Sequence, residues 1–159
     1  MQEKPLQRWS SEILHGQEIS GQQEDFWGWS SPAGCVRFDR RISLFQKHCK
    51  FGSGQRVLEI GCGTGRWTRA LSRYSKEMAS IDISREFLVK AREEIKNTSV
   101  QLCCAPAEMS PFRDRSFDII VGCSALHHLD VPSALPEFYR LLKPGGRLVF
   151  SEPNLMNPQ

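Results

Sequence analysis

The stretch Val57-Leu58-Glu59-Ile60-Gly61-Cys62-Gly63-Thr64-Gly65 sets the reading of the whole chain. Its first four residues are a short, mostly apolar run ending in a glycine turn, which predicts a buried strand. The glycines that follow let the backbone turn sharply and pass close to a ligand with no side chain in between. Arg66 to Tyr74 then reads as a helix. A loop of the dinucleotide-dehydrogenase kind needs Gly-x-Gly-x-x-Gly. Its third glycine would fall at position 66, which is arginine, so the spacing here is Gly-x-Gly-x-Gly.

Downstream, Met78 to Ile81 predicts a second strand that ends at Asp82. A carboxylate at the end of the strand after a glycine loop can accept both hydroxyls of a ribose. Ser84 is placed to cap a helix over Arg85 to Lys96. Val100 to Cys104 and Phe117 to Val121 predict a third and a fourth strand. Pro136 to Leu142 reads as a helix stopped by Lys143-Pro144-Gly145-Gly146, and Arg147 to Phe150 as a fifth strand. This alternation predicts an α/β fold, a Rossmann-like three-layer sandwich of five parallel strands with helices on both faces. Ligands of such sheets bind beyond the carboxyl ends of the strands, so the loops after Ile60, Ile81, Cys104 and Val121 are where chemistry is expected.

Upstream, apolar residues Phe38, Ile42, Leu44 and Phe45 among basic ones predict one amphipathic helix over Arg37 to Lys50, ended by Phe51-Gly52-Ser53-Gly54. Residues 1–33 are polar and lack clear periodicity, and they read as an N-terminal arm or lid of short helices and loops. Residues 34–159 form the core domain. Phe26-Trp27-Gly28-Trp29 together with Arg37, Arg40 and Arg41 have two readings: aromatics and cations closing over a ligand, or a satellite apolar cluster beside a solvated helix face.

The 159 residues suit one domain, and 40% hydrophobic with 25% charged residues is ordinary for a globular chain. A net charge of +3 gives no ground for a nucleic-acid partner. No segment has the length of apolar sequence a membrane helix needs, and Met1 to Trp9 does not read as a secretory signal, so a cytoplasmic location is expected. None of the six cysteines is spaced Cys-x-x-Cys, and no metal site is expected.

Five segments, taken in order, resemble the motifs of the class I S-adenosylmethionine-dependent methyltransferases. They are the glycine loop above, Ile81-Asp82-Ile83-Ser84, the segment Ala105-Pro106-Ala107-Glu108-Met109-Ser110-Pro111-Phe112, Phe117 to Val121 with Ala125-Leu126-His127-His128-Leu129, and Leu141 to Leu148. Together they cover about residues 52 to 152. The resemblance implies that S-adenosyl-L-methionine is the cofactor and that Gly61, Cys62, Gly63 and Gly65 pass close to it. It implies that Glu59 orders the loop or meets the cofactor's amino group through water, that Asp82 holds the ribose and that Ile83 packs on adenine. It also implies that Ala107 offers its N–H to adenine, with Glu108 the nearest acid, and that Cys123 lies beside the cofactor. The family often carries aspartate where this chain has Pro106, and proline cannot accept from the adenine amino group.

The sulfonium carries an activated methyl group, so the protein mainly aligns donor and acceptor. A base is needed when the acceptor atom is protonated at neutral pH. His127 and His128 are the candidate bases after strand four. Adjacent residues there face different ways, so His127 is carried as the catalytic candidate against a reading in which one histidine packs and the other is solvated. Nothing in the sequence activates Cys62 or Cys123 as a nucleophile.

The family's sheet usually gains two more strands in an antiparallel end, and these are not present before Gln159. The expectation is a shortened form, or a domain whose strand-five edge is covered by a partner or a second copy. A small-molecule acceptor is the expected substrate. A non-catalytic cofactor-binding or partner-binding module and a protein or RNA methyltransferase are the alternatives.

Overall fold

The computed structural model describes residues 5–18, 28–75, 77–96 and 98–153. Strands β1 (Arg56–Ile60), β2 (Glu77–Asp82), β3 (Gln101–Cys104), β4 (Phe117–Cys123) and β5 (Leu142–Ser151) form one sheet in the order β3-β2-β1-β4-β5. Every pairing is parallel. The five-stranded parallel sheet read from the sequence is thus the one the chain forms. Strand order reverses at β1, between β2 on one side and β4 on the other, which places the ligand-binding crevice beyond Ile60, Asp82 and Cys123.

Alternate residues along each strand serve opposite faces. Val57, Ile119 and Val121 pack with Phe45 and Cys49 of helix α2 (Pro32–Cys49) and with Trp67 and Leu71 of helix α3 (Arg66–Leu71). Leu58, Ile60 and Ile120 pack with Ala134, Phe138 and Leu141 of helix α5 (Val131–Leu141). Burial on both faces is why the central strands read as continuous apolar runs instead of alternating ones. Helix α4 (Arg85–Glu94) packs along β2 and β3, and its N-cap is Ser84, whose Oγ accepts from Phe87 N at 3.3 Å as the sequence predicted.

The main differences from the sequence reading lie in the helices and at the start of β5. Helix α2 begins at Pro32, five residues earlier than expected, because Ser31 caps it by accepting from Gly34 N at 3.0 Å and proline suits the first helical turn. Helix α3 ends at Leu71, and residues 72–74 are a turn. Helix α5 begins at Val131, so Pro136 lies inside it rather than at its start, and the burial of Ala134, Phe138 and Leu141 outweighs the missing backbone donor. Lys143 to Gly146 belongs to an irregular start of β5: partners run from Phe117–Leu142 directly to Ile119–Arg147, and Lys143 Nζ meets Asp118 Oδ2 at 2.7 Å.

Among its described residues the arm holds helix α1 (Pro5–Glu18). Its inward face is Arg8, Trp9, Glu12, Ile13 and the buried Gly16. A Cβ at Gly16 would sit 3.1 Å from Ser84 Oγ, so the absent side chain lets α1 approach the start of α4 closely. Phe26 and Trp27 lie outside the described residues.

Candidate functional site

The glycine loop joins β1 to α3 with Gly61, Gly63 and Gly65 all at positive φ, +66°, +52° and +87°. Two of them are also fixed by close neighbours. A Cβ on Gly61 would lie 2.8 Å from Ala125 Cβ, and one on Gly65 would lie 2.9 Å from Ala91 Cα of α4. The loop is therefore pressed between the turn after β4 and helix α4. At Gly63, by contrast, a Cβ would meet nothing within 4 Å, so the middle of the loop faces open space. A cradle with tight flanks and an open centre suits a ligand that passes against backbone.

Asp82 stands at the end of β2, beside that opening. Its Oδ2 accepts from Gly63 N at 2.7 Å and its Oδ1 from Ser84 N at 2.9 Å. Burial pushes its carboxyl above the usual range, and the two backbone N–H groups pull the other way. Asp82 thus ties the end of β2 directly to the glycine loop. Ile83 follows it, half-buried, and the backbone N of Ala105 donates to Asp82 O at 3.1 Å, which brings the loop holding Ala107 to the same place. Ala107 is buried in the α5 side of the core.

Glu59, the residue before Ile60 at the end of β1, is hydrogen-bonded to the elements on either side of the loop. It is 2% exposed, and its Oε2 accepts from Thr68 Oγ1 of α3 at 2.6 Å and from Ser80 Oγ of β2 at 2.9 Å. Burial, opposed by those two hydroxyls, pushes its carboxyl up to about 7. The residue therefore pins β1, β2 and the helix that follows the loop.

Cys62 and Cys123 both line this region as buried thiols. Burial holds Cys62 well above the usual thiol range and Cys123 up to about 11. Burial thus works against the thiolate form at both, and among the described residues no group activates either as a nucleophile. Cys123 Sγ and Ser124 Oγ both accept from Arg41 Nη1, at 3.4 and 3.2 Å, and the Arg41 guanidinium stands over Trp29 at 5.3 Å. Trp29 also meets Trp67 edge-on at 5.5 Å between ring centroids, so it joins the α2–α3 core while Arg41 reaches the end of β4.

Glu108 has both oxygens engaged by protein groups. Oε1 accepts from Arg8 Nη2 at 2.7 Å and Asp130 N at 3.1 Å, and Oε2 from Trp9 Nε1 at 3.3 Å. Helix α1 continues across the crevice: Arg8 Nη1 donates to His128 O at 3.0 Å, Glu12 Oε2 lies 3.1 Å from His128 Nδ1, and Gln17 Nε2 donates to Glu86 Oε1 at 3.1 Å. The arm thus bridges the loops after β2, β3 and β4, the three that flank the cradle. Sequence reasoning named Glu108 but not its partners, of which Arg8 and Trp9 lie about a hundred residues away.

The two histidines take different polar partners, although their rings lie 4.1 Å apart between centroids. His128 belongs to the docking face of α1. His127 turns to the end of β5, where its Nδ1 lies 2.6 Å from Glu152 Oε2. Glu152 Oε1 in turn accepts from both Ala125 N and Leu126 N at 3.0 Å. Sequence reasoning missed Glu152; the sole local signal was an acid directly after the fifth strand.

A five-stranded parallel sheet, a glycine cradle at its switch point and a carboxylate on the next strand define the class I S-adenosylmethionine-dependent methyltransferase core. The comparisons agree. A family model described as "Methyltransferase domain" matches residues 58–150. A demethylmenaquinone methyltransferase from Lactiplantibacillus plantarum is 35% identical over 127 residues, 75% of this chain and 53% of the relative. The ubiquinone/menaquinone biosynthesis C-methyltransferase UbiE of Escherichia coli is 39% identical over 111 residues, 63% of this chain and 44% of the relative. Among solved structures, the N-methyltransferase NodS from Bradyrhizobium japonicum, in complex with S-adenosylhomocysteine, superposes with a TM-score of 0.74 at 24% identity, over 87% of this chain and 71% of that one. The chain belongs to the methyltransferase domain family, whose cofactor is S-adenosyl-L-methionine. It spans about half the length of the curated relatives it matches.

Proposed function

We propose that this chain binds S-adenosyl-L-methionine in the cradle of Gly61, Gly63, Gly65 and Asp82 and transfers its methyl group to a small organic acceptor. The observation that carries the reading is the pairing of Asp82 with the backbone of Gly63: a carboxylate at the end of β2 and a side-chain-free loop edge meet at the switch point, with open space in front. When bound, the cofactor supplies a methyl group on a positively charged sulfur. The protein residues bind, orient and exclude water. Asp82 offers two acceptor oxygens to the ribose hydroxyls, and its present backbone donors hold those oxygens in place. Ile83 and Ala107 supply the apolar wall and the backbone N–H for adenine, and Glu108 fixes the adenine loop by way of α1. Gly61, Cys62 and Cys123 form the floor beneath the methionine part. Helix α1, lying across three of the flanking loops, is suited to shield the crevice from water.

The relatives named above support a small-molecule acceptor over a protein or an RNA, and the modest net charge agrees. Among the described residues no helix is long and apolar enough to cross a membrane, and the six free thiols suit a cytoplasmic site. Strand β5 is an edge of the sheet, and further chain or a partner would cover it. The test is a transfer assay with S-adenosyl-L-methionine carrying a tritiated methyl group, offered a demethylated hydroquinone, a mixed peptide pool or a transfer RNA. Label in the solvent-extractable small-molecule fraction supports the proposal. Label confined to peptide or RNA overturns the acceptor class, and binding of cofactor with no transfer to any acceptor favours a non-catalytic binding module.

A further inference from the structure

The turn Leu126–His128 after β4 is held from both sides. Ala125 presses on Gly61 of the cofactor cradle, and Glu152 accepts from the N–H groups of Ala125 and Leu126. That leaves the second oxygen of Glu152 fixed in direction, and it points at His127 Nδ1 from 2.6 Å. A carboxylate in contact with Nδ1 selects the tautomer that carries its proton there. Nε2 is then the unprotonated, basic nitrogen. Among the described residues Nε2 makes no hydrogen bond, and the side chain is about one-third exposed, two residues along the turn from the Ala125 that meets Gly61. His128, whose ring lies against that of His127 at 4.1 Å between centroids, is engaged by Glu12 at its Nδ1 and by the His15 ring at 6.4 Å.

We propose that His127 Nε2 is the proton acceptor of the methyl transfer and that Glu152 is its positioning residue. The inference rests on the methyltransferase reading and narrows its acceptor class to groups whose reacting atom carries a proton at neutral pH: hydroxyls, phenols, acidic C–H groups or alkylammonium groups. In the step, the acceptor's X–H bond breaks and its proton goes to Nε2. The freed electron pair forms the X–CH3 bond, and the C–S bond breaks with its pair retained on sulfur. The products are the methylated acceptor, S-adenosylhomocysteine and an imidazolium whose charge is balanced by the Glu152 carboxylate.

The test is long-range 1H–15N NMR on the chain labelled in its histidine rings, with His127→Asn to assign the signal, at about pH 8.5 where imidazoles are neutral. The expected wild-type spectrum shows His127 protonated at Nδ1 and bare at Nε2. In Glu152→Gln the amide oxygen still accepts from Ala125 and Leu126, so the turn persists, but its NH2 faces Nδ1 and the proton moves to Nε2. A wild-type Nε2–H form, or a tautomer that Glu152→Gln leaves unchanged, overturns the proposal. Placement of His127 is read separately, from its modification at Nε2 by diethyl pyrocarbonate. With S-adenosylhomocysteine at ten times its Kd, that reaction should slow about tenfold. Modification at an unchanged rate overturns the placement. If S-adenosylhomocysteine fails to bind by calorimetry, the methyltransferase reading itself fails, an outcome distinct from a wrong tautomer.

Discussion

Glu59 offers the sharpest stability test. Its carboxyl is fully enclosed between β1, β2 and α3, and burial raises it from 4.5 to about 7 in the folded protein. The folded state therefore holds this proton more tightly than the unfolded state does. Below about pH 4.5 both states are protonated and the group has no effect. As pH rises towards 7 the unfolded chain releases its proton first, so stability falls, and above 7 the loss is complete. A rise from 4.5 to about 7 corresponds to roughly 3 kcal/mol. Most of this, about 2 to 3 kcal/mol, falls between pH 5 and pH 8. Glu59→Gln keeps an oxygen for Thr68 and Ser80 but cannot ionise. Urea unfolding of both proteins at several pH values should show the wild type losing about 2 to 3 kcal/mol more than the variant across that interval. The comparison of slopes removes any constant cost of the amide group and any titration common to both. Parallel pH profiles would refute the claim that a buried, ionisable Glu59 braces the loop.

Other outcomes follow from the same geometry. Asp82→Ala should weaken S-adenosylhomocysteine binding at least about tenfold by calorimetry, through loss of the ribose acceptors, while circular dichroism stays native; unchanged affinity removes Asp82 from the site. Gly61→Ala should destabilise by about 2 kcal/mol or more in urea melts, because strain at φ +66° adds to a 2.8 Å clash with Ala125, whereas Gly63→Ala carries the strain without the clash and should cost less. Reversal of that order would show that the turn after β4 does not press on the loop. Arg140→Ala should release the loop over residues 110–114, since Arg140 bonds to Glu137 and Asp114 side chains and to the carbonyls of Ser110 and Phe112. Faster amide exchange confined to that loop and to α5 is the expected signature, and unchanged protection there would contradict it.

The sheet was legible because its central strands β1, β2 and β4 are buried on both faces and all five are bounded by glycine, proline or polar turn residues, signals that are local in sequence. The cradle was legible for the same reason: Gly61, Gly63, Gly65 and Asp82 are fixed by where β1 and β2 end. Pro136 misled because proline at a helix start and proline tolerated inside a buried helix look alike until Phe138 and Leu141 are seen to anchor the segment. Helix α1 was hidden because its docking face is Arg8, Trp9, Glu12, Ile13 and Gly16, which has helical spacing but little apolar character. It docks by ion pairs and hydrogen bonds with Glu108 and His128, and hydrophobic periodicity does not report those. Glu152 was hidden too, because its partners, Ala125, Leu126 and His127, are brought to it only by the pairing of β4 with β5.

The most direct test of the central claim is a calorimetric comparison of S-adenosylhomocysteine and NAD on the folded chain. The spacing of Gly61, Gly63 and Gly65 with Asp82 predicts one-to-one binding of S-adenosylhomocysteine and none of NAD. Binding of NAD, or no binding of S-adenosylhomocysteine by a chain whose circular dichroism is native, would contradict it.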